Sequence, residues 1–318
     1  MTDLGKAFRQ DLEESAGVSE LAAIKVAEAK DGTIKWMFSV GERSAIETVY
    51  IPEPRRATLC ISSQAGCALD CSFCATGAQG FQRNLSTGEI IGQLWSVKRW
   101  LAMHRPEAPP VTNIVYMGMG EPLLNLKAVI QATQLMIDDR AYGLSRHKVT
   151  ISTSGIVPNM IRLRDQCRVA LAVSLHAPTN ALRDQIVPIN RTYPLETLIE
   201  ACRHYLAPDR KDSITFEYVL IRGINDHPDH ARALVRLLSR IPCKINLIPF
   251  NPFPQSEYRR PEASSVEKFQ NILISKGFLT LIRRTRGDDI SAACGQLVGQ
   301  IMDKRRHGLH KAEVINAI

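Results

Sequence analysis

An α/β architecture, a partial (β/α)6 barrel with a small N-terminal β-sheet extension and a C-terminal loop and helix extension, is the fold class predicted for this chain of 318 residues. Three observations predict it. From Thr58 onward, short β-branched apolar runs alternate with helical stretches through six units, the pattern of parallel strands joined by crossover helices. The cysteine- and glycine-bearing motifs follow strands, at the carboxyl ends where such folds bind ligands. The composition, 45% hydrophobic and 23% charged, is that of an ordinary globular protein with a sizeable core.

The elements follow in order. Leu4, Phe8 and Leu12 recur at helical spacing, so a short helix is expected over 4–14. Residues 24–26, 34–38 and 46–50 alternate like strands, with Asp31-Gly32 and Gly41-Glu42 at the turns and Pro52 and Pro54 ending the run. A small antiparallel sheet is therefore expected ahead of the barrel, giving an accessory region over 1–57, a barrel over 58–285 and an extension over 286–318. Barrel strands are predicted at 58–61, 112–117, 148–152, 169–175, 214–220 and 244–248, with a further one at 280–284. Helices are predicted at 87–103, 126–139, 157–164, 195–206, 228–239 and 264–276, and Asp226 is the expected N-cap ahead of Pro228.

Composition narrows the function classes. No apolar run is long enough to span a bilayer, and the first six residues lack an apolar signal core, so a cytosolic protein without membrane partners is expected. Eight cysteines in a reducing compartment point to metal or redox chemistry rather than structural disulfides. The net charge of +8 is compatible with a nucleic-acid partner.

The most informative stretch is Cys67-Ala68-Leu69-Asp70-Cys71-Ser72-Phe73-Cys74. A [4Fe–4S] cluster usually takes four cysteine thiolates. This loop offers three, leaving one iron open for a ligand that is not protein, the arrangement of the radical S-adenosylmethionine (SAM) enzymes. Zinc is the alternative, but zinc motifs supply a second ligand pair, and none follows at that spacing. Gly118 and Gly120, in Met117-Gly118-Met119-Gly120-Glu121-Pro122, would let a ligand approach the backbone, with loop carbonyls meeting the amino group of SAM. Ser152 and Ser154 end the third strand, Ser174, Leu175 and His176 the fourth, and Asn251 follows the sixth. All are placed to reach the same ligand, although helix capping and turn formation explain the serines and the asparagine equally well. Cys60 precedes the cluster loop and Cys294 lies in a polar, glycine-flanked loop, whereas Cys167, Cys202 and Cys243 read as buried hydrophobes. Basic residues are scattered, from Arg55-Arg56 to Lys304-Arg305-Arg306, and the run from Arg283 to Arg286 is the best source of phosphate contacts. His227 and His230 open a helix and read as structural.

With those residues in hand, the chain closely resembles the radical SAM adenine-C2 RNA methyltransferases, the RlmN-type enzymes. The likeness is carried by residues 47–52, 60–67, the cluster loop, Gly77, Gly80-Phe81, Arg83-Asn84-Leu85, and residues 117–125, 174–178, 244–254 and 285–296. It implies a [4Fe–4S] cluster held by Cys67, Cys71 and Cys74, two SAM molecules per turnover, and SAM contacts from Gly120, Glu121, Ser152, Ser174, Leu175, His176 and Asn251. One SAM would methylate Cys294. The second would be cleaved to a 5′-deoxyadenosyl radical that takes hydrogen from that methyl group, and the carbon radical would add to C2 of an adenine. Cys60 would then release the product by forming a disulfide with Cys294. Glu47 matches the family's proton acceptor, with Cys60 its rival for that step. The implied partners are 23S rRNA near the peptidyl-transferase region, an adenosine of the tRNA anticodon loop, and an electron donor such as flavodoxin; a monomer is expected. Unstacked bases suit such a site.

Family members usually carry a helical N-terminal domain implicated in RNA binding, of which only the last helix fits ahead of the small sheet; a shortened variant or the product of a late start site is the expectation. Two alternatives are a C8-methylating resistance-type rRNA methyltransferase and a non-catalytic iron–sulfur RNA-binding protein. The stretches around Ser62-Ser63-Gln64 and Ala68-Leu69 favour C2, and Cys60, Cys294 and the Gly120-Glu121 loop speak against loss of catalysis.

Overall fold

In the computed structural model, residues 4–15, 20–41, 43–206 and 212–299 are described. Glu42 of the second expected turn and the basic run at Lys304 lie outside them, as does the extension beyond residue 299.

The N-terminal part comprises α1 (Lys6–Ser15), β1 (Ala23–Glu28), β2 (Ile34–Ser39) and β3 (Ala45–Glu53). Next come β4 (Arg56–Cys60), β5 (Gln64–Gly66), α2 (Ala75–Gln79) and β6 (Phe81–Asn84). The alternating part runs α3 (Thr87–His104), β7 (Val111–Tyr116), α4 (Leu126–Ile137), β8 (Val149–Thr153), α5 (Val157–Gln166) and β9 (Ala170–Ser174). It continues with α6 (Asn180–Ile186), α7 (Leu195–Leu206), β10 (Ile214–Leu220), α8 (Pro228–Leu238), β11 (Cys243–Pro249), α9 (Ala263–Ser275) and β12 (Leu279–Ile282).

One ten-stranded sheet has the order β1-β2-β3-β4-β7-β8-β9-β10-β11-β12, and β5 and β6 form a separate hairpin. From β4 to β12 every neighbouring pair is parallel. This is the expected partial barrel: the sheet is open, with β1 and β12 at its edges. The antiparallel strands do not stand apart as a separate small sheet. Val49 pairs with Cys60 and Ile51 with Thr58, so β3 hydrogen-bonds straight onto the first barrel strand. Pro52 does not end β3, which reaches Glu53; at the last residues of a strand a missing N–H costs the ladder least.

Local chemistry accounts for the helix starts. Ser86 and Glu89 form a reciprocal capping box on α3. The cap of α8 is His227 rather than Asp226: its imidazole accepts the Asp229 N–H at 3.3 Å, while Asp226 accepts from the Gly223 N–H at 2.8 Å and ties the preceding turn. Core side chains such as Ile114, Ile151, Leu171, Phe216 and Ile245 are buried on the strands, packed under Leu94, Met136, Leu198 and Phe269 of the helices. The short elements α2, α6, β5 and β6 were not expected; each is too brief to show a period in the sequence.

Candidate functional site

The cluster loop and the motifs of Gly118 to Glu121, Ser152 to Ser154, Ser174 to His176 and Asn251 lie at the carboxyl ends of the parallel strands, around one open cavity. Cys67, Cys71 and Cys74 line it from the loop between β5 and α2. Burial pushes the Cys67 thiol up to about 12 and the Cys71 thiol well above its usual value. Binding to iron is the interaction that offsets such a cost, because coordination holds a thiol deprotonated. Among the described residues no three His, Cys, Asp or Glu side chains gather around one point as a single-ion site requires. A four-iron cube asks for something different, with each thiolate on its own iron. The donor set, the cavity and a buried unpartnered carboxylate oxygen on its wall, Oε2 of Glu217, fit a cluster together with a polar ligand.

The glycines also make room within the chain itself. A Cβ on Gly118 would lie 2.7 Å from the Ile61 carbonyl oxygen, and one on Gly120, where φ is +92°, would lie 2.4 Å from Gln64 Cβ. The close approach is thus between the chain's own β4 and β7 loops, although both glycines also line the cavity. Glu121 lines it too, with its oxygens committed to backbone: Oε1 accepts from the Leu123 N–H at 3.0 Å and Oε2 from the Ser154 N–H at 2.8 Å. Burial raises its carboxyl to about 7 despite those donors.

Ser152, Ser174 and His176 face the cavity, whereas Leu175 is fully buried and is not on its wall. His176 has φ +59°, a left-handed conformation uncommon outside glycine. Its Nδ1 accepts the Val219 N–H at 3.0 Å, so the proton sits on Nε2, and burial pulls the imidazole down to about 3. Arg183, unforeseen from the sequence, fastens this rim from α6. Its guanidinium donates to the carbonyls of Leu175 (3.0 Å), Ser154 (2.7 Å) and Ser174 (3.1 Å) and to Asn190 Oδ1 (3.0 Å).

The segment bearing Cys294 is strapped across the cluster loop. Ala75 N–H donates to Gly295 O at 2.8 Å, Thr76 Oγ1 to Leu297 O at 2.7 Å, and Gln79 Nε2 to Gly299 O at 2.7 Å. Asn251 donates to Cys294 O at 3.2 Å and accepts from Arg260 and Thr285. Glu47 also holds the strap: Oε2 accepts the Val298 N–H at 2.9 Å and Oε1 pairs with Lys35 at 2.9 Å. Burial raises the Glu47 carboxyl while Lys35 opposes the rise.

Cys294 is exposed as a residue, yet burial still pushes its thiol up. The two are compatible, because it lines both the main cavity and an adjoining pocket, so solvent reaches it inside a densely packed wall. Cys60 is buried at the end of β4, close enough that the Cys294 charge adds to the burial that lifts its thiol to about 12. Arg283, expected to meet phosphate, shares the wall of that adjoining pocket with Cys294, where its positive charge opposes the rise of the thiol. The adjoining pocket is lined by Arg283, Arg284 and Arg286 beside Cys294. Glu217 was also missed; the signal was a lone carboxylate inside the apolar run of β10.

A barrel open at β12, three thiols on the loop after its first strand, and a polar cavity at the carboxyl ends define one class. Residues 61–235 match the model of the radical SAM superfamily, and the chain belongs to that superfamily, whose members use a [4Fe–4S] cluster and SAM. Within it, the chain is 42% identical to a radical SAM methyltransferase from Sphaerobacter thermophilus, with a TM-score of 0.86 over 93% of this chain and 86% of that one. The fold alone is shared with two more distant structures. TYW1 with a lysine–pyruvate adduct bound is 12% identical, with a TM-score of 0.52 over 93% of this chain and 96% of that one. Streptococcus suis SuiB bound to S-adenosylmethionine is 10% identical, with a TM-score of 0.51 over 75% and 52%. Among the described residues no helix is long and apolar enough to cross a membrane.

Proposed function

We propose that this protein is a radical SAM RNA methyltransferase that adds a methyl group to C2 of adenosine, in the peptidyl-transferase region of 23S rRNA and in the tRNA anticodon loop. The observation that carries the reading is the sharing of one cavity by Cys294 and the three cluster cysteines, with Cys60 beside Cys294. When bound, the cluster and SAM supply the methyl group and the radical chemistry that an unreactive aromatic carbon requires.

The chain's own residues do the rest. Cys67, Cys71 and Cys74 hold the cluster, and the Met117–Glu121 loop with Ser152, Ser174, His176 and Asn251 lines the SAM site. Cys294 carries the methyl group as a thioether. Cys60 attacks the Cys294 sulfur as a thiolate; the S–S bond forms as the bond from that sulfur to the RNA-linked carbon breaks, and the carbon keeps the pair and takes a proton as the methylated RNA leaves. The commitment of Glu47 to Lys35 and Val298 favours a holding role for that carboxylate and supports Cys60 as acceptor of the C2 proton. Arg284 and Arg286, on the adjoining pocket, are suited to RNA phosphates. An electron donor such as flavodoxin completes the system.

The test is methylation of rRNA and tRNA by protein with a reconstituted cluster, with the modified atom mapped by mass spectrometry. Methyl at C2 is the expected product. Methyl at C8 would transfer the protein to the resistance-type branch, and unmodified RNA would remove the proposal.

A further inference from the structure

The Cys294 sulfur has a charged neighbourhood that a methyl carrier alone does not explain. Arg283, just beyond β12, lines the adjoining pocket together with Cys294, and its charge acts on Cys294, Glu217 and Cys60. Glu217 is buried on β10. Its Oε1 accepts from Asn246 Nδ2 at 2.8 Å, and among the described residues its Oε2 has no hydrogen-bond partner, although Glu217 stands on the wall of the cavity that Cys294 lines. One cation is therefore shared between a carboxylate and two thiols. The other titratable groups on these walls are Cys67, Cys71, Cys74, Glu121 and His176 in the main cavity, the last held neutral, and Arg284 and Arg286 in the adjoining pocket.

We propose that Arg283 is the charge partner that makes Cys294 a nucleophile, and that Glu217 competes for this guanidinium and receives it once the sulfur is alkylated. The inference rests on the reading of Cys294 as a methyl acceptor. The thiol gives its proton to solvent and the guanidinium balances the thiolate. The thiolate electron pair forms the new S–CH3 bond, and the C–S bond of the methyl sulfonium breaks with its pair left on the departing sulfur. Two neutral thioethers result, so Arg283 has lost its anion. A crowded guanidinium without a counter-charge is costly, and the free Oε2 of Glu217 is the acceptor at hand. That transfer frees the thioether from the charge that held the thiolate. Burial alone works against a thiolate at Cys294, and Arg283 is the group that opposes it.

The experiment measures iodoacetamide alkylation of Cys294 against pH, by peptide mass spectrometry. It uses chain made by cell-free synthesis without SAM and then given its cluster anaerobically. Only the thiolate reacts, so wherever the thiol is mostly protonated the rate follows the small fraction that has ionised. Arg283→Gln is expected to slow alkylation at pH 8 by about tenfold or more, and Arg283→Lys to restore most of it. Glu217→Gln is expected to speed it several-fold, because the guanidinium then serves the sulfur alone. Cys202, fully buried, reports on folding by staying unreactive in every variant. An unchanged rate in Arg283→Gln, or slower alkylation in Glu217→Gln as removal of a general base would give, overturns the proposal. Alkylation requires no methyl transfer; a methyl group on Cys294 after incubation with SAM, read separately, tests the underlying reading.

Discussion

Arg183→Met is the substitution that most sharply tests how the rim of the cavity is built. The guanidinium is fully buried and donates to four acceptors, the carbonyls of Leu175, Ser154 and Ser174 and the side chain of Asn190. Methionine keeps the length and donates nothing. Stranding four buried acceptors at about 2 kcal/mol each costs about 8 kcal/mol. Burial holds the Arg183 guanidinium down to about 10, well below its usual value, so removing the charge returns about 3 kcal/mol of desolvation. The net loss is about 5 kcal/mol, which for a chain of this size lowers Tm by about 7 °C. Calorimetry of the two proteins reads that directly, and equilibrium dialysis at a permissive temperature should show weaker SAM binding, since the loops after β8 and β9 lose their common fastening. A Tm lowered by less than about 2 °C would refute the reasoning, because it would mean those acceptors find partners without Arg183.

Three further outcomes follow from the same geometry. His176 stays neutral in the fold down to about pH 3, whereas an unfolded histidine takes up its proton near pH 6.5; acid therefore favours unfolding by about 1.4 kcal/mol for every step of one in pH across that window. His176→Asn keeps an acceptor and tolerates the left-handed backbone, so urea unfolding between pH 6.5 and 4 should be less acid-sensitive in the variant; parallel pH profiles would contradict this. Gly120→Ala forces a Cβ against Gln64 at positive φ and should cost about 2–4 kcal/mol, an expectation defeated by an unshifted urea midpoint. Cys60→Ala should fold normally yet accumulate RNA-linked protein on denaturing gels, and free methylated RNA at the normal rate would count against its resolving role.

How much of this was legible in the sequence depends on the range of the interactions. The parallel strands and long helices follow from local periodicity, and the cluster loop from spacing alone. The meaning of Gly118 and Gly120 was not legible, because what they accommodate, Ile61 and Gln64, is fixed only when β4 and β7 pair. Arg183 and Glu217 were missed for the same reason: in sequence each is one more charge on a short element, and their partners lie on other strands and loops. Arg283 was assigned to phosphate, since nothing local says that it shares a pocket with Cys294. The join of β3 to β4 escaped notice because two prolines marked a boundary that long-range pairing bridges.

The most direct measurement concerns the route of the methyl group through Cys294. Protein methylated with SAM carrying a 13C methyl, freed of excess cofactor, and then given RNA with unlabelled SAM should release first-turnover RNA bearing 13C at C2 of adenine. First-turnover RNA carrying only unlabelled methyl, from protein shown to hold 13C on Cys294, would contradict the account.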